Sequence, residues 1–119
     1  MKDQELQRLI LPEGLLEYFE IQDVKETTET YRIYLSEKNI KPEGYTDIKI
    51  HSKGFYEPVT IQDFPIRGKA CYLEVKRRRW MNIETGEAIA RDWNIIAKGT
   101  RMTQEFATFL KEFNRFISS

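Results

Sequence analysis

From Ala70 to Trp80 the chain alternates, with Cys71, Leu73 and Val75 on one side and Tyr72, Glu74 and Lys76 on the other, before turning wholly basic at Lys76-Arg77-Arg78-Arg79. A period of two is the pattern of a half-buried strand, so this stretch requires a sheet with one face on an apolar core. Its surroundings read as one long hairpin over residues 61–101. Gln62-Asp63-Phe64-Pro65 makes a corner, and Arg67-Gly68-Lys69 a turn, because proline fixes φ and glycine accepts positive φ. Asn82-Ile83-Glu84-Thr85-Gly86 closes the hairpin, and Ala88 to Ile96 returns with Ile89, Trp93 and Ile95 on one face.

The rest of the chain supplies what such a hairpin packs on. Asp3 to Ile10 is a weakly helical lead-in, and Leu11 to Phe19 predicts a short helix with Pro12 in its first turn, burying Leu15, Leu16 and Phe19. A polar connection over Asp23 to Thr30 leads to a strand at Tyr31 to Leu35. A second short strand, Thr46 to His51, gives out in a loop that carries Lys53, Phe55 and Tyr56. The last segment is the clearest helix: Thr103 is placed to cap it, and Phe106, Phe109, Leu110, Phe113, Phe116 and Ile117 recur at helical spacing along one face. That face packs on the sheet, and its end is also a candidate surface for a second chain. The expected fold class is α+β, an antiparallel sheet flanked by an N-terminal and a C-terminal helix. It forms one domain over 1–119, with helix and strands in 11–58, the basic hairpin in 59–101 and the helix in 102–119.

At 119 residues there is material for one core and little beyond it. No run of 18 apolar residues is present and the first residues are polar, so neither a membrane-spanning helix nor a signal peptide is expected, and a cytoplasmic protein without a membrane partner is. Cys71 is the single cysteine, at an apolar strand position that suits a buried structural thiol, and His51 is the single histidine. One of each cannot assemble a four-ligand zinc site. Phosphate-binding glycine loops, nucleophile elbows and paired metal-ligand motifs are also missing, so no cofactor, metal site or catalytic residue is assigned and an enzyme is not expected. Asp47, Asp63 and Asp92 lie beside turns or opposite basic residues, where surface pairing accounts for them.

Charge is balanced overall, with 19 Lys and Arg against 19 Asp and Glu, yet it is unevenly distributed. Residues 1–64 hold 8 basic against 13 acidic groups; residues 65–119 hold 11 against 6. The basic half contains the hairpin, and Lys76, Arg77, Arg78, Arg79 and Trp80, with Arg91, Lys98 and Arg101, form its candidate DNA-binding set. Four consecutive cations repel one another, and an anionic partner relieves that repulsion; guanidinium forks beside an indole suit phosphates. The competing explanation is a charged edge that deters strand addition, with arginines paired to Glu74, Glu84 or Asp92.

At these residues the chain resembles a known family. Asp63-Phe64-Pro65-Ile66, Gly68-Lys69, Leu73-x-Val75 and Arg78-Arg79-Trp80, followed by a short turn and a second strand, resemble the N-terminal region of bacterial insertion-sequence transposases of the DDE type. The basic stretch Ala97 to Arg101 resembles the link those proteins carry toward their next helical DNA-binding segment, and the likeness spans roughly residues 11–115. In that family the hairpin belongs to a zinc ribbon. Here the two regions that would hold cysteine pairs, Ile48 to Pro58 and Met81 to Gly86, contain none, so the resemblance implies a zinc-ribbon-like hairpin without metal. Packing of Phe55, Trp80 and Trp93 would then hold the two loops. The resemblance further implies a DNA-binding module for transposition whose partners are double-stranded DNA at element ends and a catalytic transposase polypeptide. The nuclease carboxylates of such proteins lie on a domain not found in this chain. A non-enzymatic adaptor that binds the catalytic subunit through the C-terminal helix is the alternative, and self-association as a homodimer is compatible with both.

Overall fold

The computed structural model of the chain describes residue 11 and residues 14–45, 47–93 and 104–117. Over these residues it is an α+β arrangement of seven strands, mostly antiparallel, with one short N-terminal and one C-terminal helix. A single helical turn, α1 (Leu15–Tyr18), leads into β1 (Phe19–Glu26) and β2 (Thr30–Glu37); β3 (Ile50–Phe55), β4 (Val59–Ile66), β5 (Lys69–Lys76), β6 (Arg78–Asn82) and β7 (Ala88–Ile89) follow, and α2 (Gln104–Ile117) is the last element. The strands form two sheets, one in the order β1-β2-β5-β4 and one in the order β3-β6-β7.

The alternation over 70–80 is present but belongs to two strands rather than one. β5 ends at Lys76 and β6 begins at Arg78, in different sheets, with Arg77 at the break, where its carbonyl accepts a hydrogen bond from the amide of Tyr56 (2.9 Å). The expected long hairpin therefore divides. β5 pairs antiparallel with β4 through the Arg67-Gly68 turn and parallel with β2 on its other side, whereas the return at Ala88–Ile89 pairs only with Met81 and Trp80. Both turn residues take positive φ, 50° at Arg67 and 80° at Gly68, which matches the right-handed twist of a two-residue hairpin connection. The Phe64-Pro65 corner survives as a register shift within β4 between Asp63 and Ile66.

Two further differences come from the N-terminal half. The expected helix over 11–19 contracts to four residues, and Phe19 starts a strand that continues through the supposed polar connection to Glu26. An edge strand paired on one side tolerates such polarity, and its alternation is broken by a bulge between Ile21 and Asp23. The strand expected at 46–51 begins instead at Ile50 and runs on to Phe55.

One face of the four-stranded sheet and both helices enclose the main core. Ile33, Leu35, Ile61, Leu73 and Val75 meet Leu15, Phe19, Trp93, Phe106, Phe109, Leu110 and Phe113 there. Trp93 stacks on Phe19 at 5.1 Å between centroids and meets Phe113 edge-on at 5.5 Å. A second, smaller cluster of Ile50, Trp80 and Ile89, with Tyr45 against it, fills the inner face of the three-stranded sheet. Trp80 therefore does not join Phe55 and Trp93. Phe55 is exposed on the surface and Trp93 lies in the main core.

Candidate nucleic-acid interface

The basic run lies at the junction of the two sheets, and its side chains are sorted by the break at Arg77. Lys76, on the last position of β5, lies over the ring of Phe55 at 5.4 Å; Arg78 lies over the same ring at 4.7 Å; Arg77 stacks on Tyr56 at 4.2 Å. Phe55 reaches this position because β3 pairs with β6, Phe55 opposite Arg78. A cation over an aromatic face is attracted by the ring quadrupole, and it is held there without losing its charge to a carboxylate. Lys76 and Arg79 are exposed, and Arg77 is half-buried with its Nε enclosed and without a hydrogen-bond partner among the described residues.

Arg78 plays a different part. Its amide donates to Oε1 of Glu37 (2.9 Å), its Nε and Nη2 donate to the carbonyl of the same residue (3.2 and 3.1 Å), and Nη1 donates to the hydroxyl of Ser52 (2.7 Å). Glu37 ends β2 and is buried with its side chain 1 % exposed. Its other oxygen accepts from Nε of Arg91 (3.0 Å), whose side chain is 2 % exposed, donates through Nη1 to Glu43 (3.0 and 3.1 Å) and through Nη2 to the carbonyl of Ile40. The Arg91 guanidinium also lies near the rings of Tyr18 (5.6 Å) and Trp93 (5.8 Å). The buried Glu37 carboxylate, with the half-buried Arg78 and the buried Arg91, thus joins the end of β2 in the large sheet to the start of β6 and the stretch after β7 in the small one. Removing one member would leave the others charged and without water.

Of the sequence-derived set, then, Lys76, Arg77 and Arg79 present their side chains at or near the surface, Arg78 is half-buried in the Glu37 clasp, and Trp80 and Arg91 are internal. Lys98 and Arg101 lie outside the described residues. Of the carboxylates expected as arginine partners, Glu74 pairs with Arg32, outside the basic run, and accepts from the Thr60 hydroxyl (2.8 Å). Glu37 and Glu43, the carboxylates that hold Arg91, carry no local sequence signal, since they stand 54 and 48 positions away.

The single thiol is buried, and burial, followed by the Asp63 carboxylate across the β4–β5 pair, pushes Cys71 from 9.0 up to about 11. It stays protonated at neutral pH and is a core side chain rather than a nucleophile. Among the described residues no group of three or more His, Cys, Asp or Glu side chains is placed to hold a metal ion, and no helix is long and apolar enough to cross a membrane. Comparison of the chain with protein-family models, with curated proteins and with solved structures finds no match.

Proposed function

We propose that this chain is a non-enzymatic DNA-binding module of insertion-sequence transposition, which holds element ends for a catalytic transposase polypeptide. The observation that carries the reading is the sheet junction itself. There Lys76, Arg77 and Arg79, flanked by Phe55 and Tyr56, present cationic side chains that no carboxylate among the described residues neutralises. Phosphates are the natural partners of such groups, and the aromatic rings under Lys76 and Arg77 hold those two side chains extended and ready. In this reading the β3-β6-β7 sheet stands where the resembled family has its zinc ribbon, with Ile50, Trp80 and Ile89 filling the place of the metal.

The adaptor reading has one observation in its favour. Phe116 of α2 is 45 % exposed, and a groove of about 670 Å³ runs between the helix and β4, lined by Thr60, Gln62, Pro65, Tyr72, Arg115 and Phe116 among others. One mobility-shift experiment separates the two. A duplex carrying the element end is mixed with the chain, alone and with the catalytic polypeptide. DNA binding predicts a shift with the chain alone that a Lys76→Gln/Arg77→Gln variant loses. The adaptor predicts no shift alone and a supershift with the catalytic polypeptide that Phe116→Ser abolishes.

A further inference from the structure

The outer face of the three-stranded sheet carries charge that the fold does not use. Pairing of β3 with β6 directs Ile50 and Ser52 inward beside Trp80, and alternation therefore puts Lys49, His51 and Lys53 on the opposite side. The same alternation puts Arg79 and Met81 of β6 there, with Ala88 of β7 paired to Met81. Lys49, His51, Lys53 and Arg79 are all exposed. Among the described residues, none of their side chains has a hydrogen bond, an ion pair or a ring contact. Arg32, Lys69, Arg78, Arg91 and Arg115, in contrast, are all engaged by carboxylates or carbonyls. The nearby acidic groups in sequence, Asp47, Glu57, Glu84 and Glu87, lie in the turns and loops that bound the sheet and not on its alternation.

Spacing narrows what this face fits. Lys49 and Lys53 are four residues apart on extended backbone, about 13 Å at roughly 3.3 Å per residue. The major groove of duplex DNA is about 12 Å wide and admits a β-ribbon. At one end of the stripe, between the Ser52–Trp80 and Phe55–Arg78 pairs, Lys53 and Gly54 oppose the single residue Arg79, a bulge that Gly54 accommodates at φ 88°. Two cations are gathered there, and one, Lys49, stands at the other end. Between them His51 pairs in register with Met81. A single strand would call for a run of large aromatic platforms, and this face carries no Phe, Tyr or Trp, only the imidazole of His51.

We propose that this face lies in the major groove of duplex DNA, with Lys49 on the phosphates of one wall, Lys53 and Arg79 on those of the other, and His51 and Met81 toward the base edges. The proposal rests on the DNA-binding reading above and extends its contact surface from the basic junction, through Arg79, onto this face. An imidazole nitrogen can donate to or accept from a base edge, and a thioether packs on a thymine methyl.

Binding of the full chain to a 20-base-pair duplex of the element end, and to the same length of scrambled sequence, is measured by anisotropy across a salt series. Lys53→Gln and Arg79→Gln should each lower the slope of log affinity against log salt by about 0.9, equally on both duplexes. His51→Ala and Met81→Ala should instead narrow the affinity ratio between the two duplexes by about tenfold each. All four positions are off the core, and far-ultraviolet circular dichroism of each variant checks that the fold persists. Wild-type binding with unchanged slopes in the lysine and arginine variants overturns the face while leaving DNA binding standing. Reduced slopes with an unchanged ratio in the histidine and methionine variants overturn its seat in the groove. No binding to either duplex overturns both this face and the function it rests on.

Discussion

Glu37 shows how one side chain decides the fate of two arginines. A carboxylate buried beside Arg91 and the amide of Arg78 is stable only while its partners remain, so Glu37→Gln should cost about 3–5 kcal/mol, the usual consequence of leaving a buried charge without its counterion. Glu43 also binds Arg91, but its side chain is 53 % exposed, and Glu43→Gln should cost no more than about 1 kcal/mol. Urea unfolding of the two variants checks the contrast, and equal losses would show that the buried oxygen of Glu37 is not the anchor. Cys71 gives a second test at this scale. Its thiol is held up at about 11 in the folded chain against an ordinary 9.0, so the unfolded state loses its proton first as pH rises. The contribution to stability is intact below pH 9 and is lost as pH rises from about 9 to 11. The urea midpoint should fall over that window in wild type and fall less in Cys71→Ala; parallel curves would contradict the assignment.

At the scale of elements, α2 is where sequence and structure agree most closely, because a helical stripe needs only local spacing. Phe106, Phe109, Leu110 and Phe113 are buried, and Phe116, next in the pattern, is not. Phe109→Ala should therefore cost about 3–5 kcal/mol and Phe116→Ser much less, as read by thermal melts. Gly14 ties the helices together. It takes φ 98°, and a Cβ there would stand 3.0 Å from the Phe106 ring, so Gly14→Ala should be destabilising by more than about 1 kcal/mol, from backbone strain and crowding together. The β-elements were legible in kind and less so in partnership. Cys71, Leu73 and Val75 announced a strand, but nothing local distinguishes a ladder with Ala88–Ile89 from one with Val59–Ile66, and a parallel pair with β2 leaves no mark on nearby sequence. β1 was missed because an edge strand can be polar. Burial of Arg91 was illegible for a related reason, as its carboxylates are distant in sequence. Lys49, His51 and Lys53, alternating from the residue before β3 into it, carry a local signal that an expected strand end at His51 hides.

The whole molecule is two sheets of unlike character. The larger, backed by α1 and α2, holds most of the apolar core; among the described residues the smaller has the cluster of Ile50, Trp80 and Ile89, with Tyr45, behind it and carries free cations in front. The Glu37 clasp fixes one to the other, so the basic junction and the outer face of β3-β6-β7 are presented by a rigid frame rather than by loops. A clasp variant should thus weaken DNA binding even though Glu37 itself is buried. Chain balance matters too: with equal numbers of acidic and basic groups, binding should be modest at physiological salt and should depend on the few cations gathered on this side. The most direct measurement is titration of the isotope-labelled chain with an element-end duplex, followed by amide chemical shifts. Perturbations should concentrate at residues 49–56 and 76–81, with the amides of α2 little changed. Shifts confined to α2 and the β4 groove, or none with duplex in excess, would contradict it.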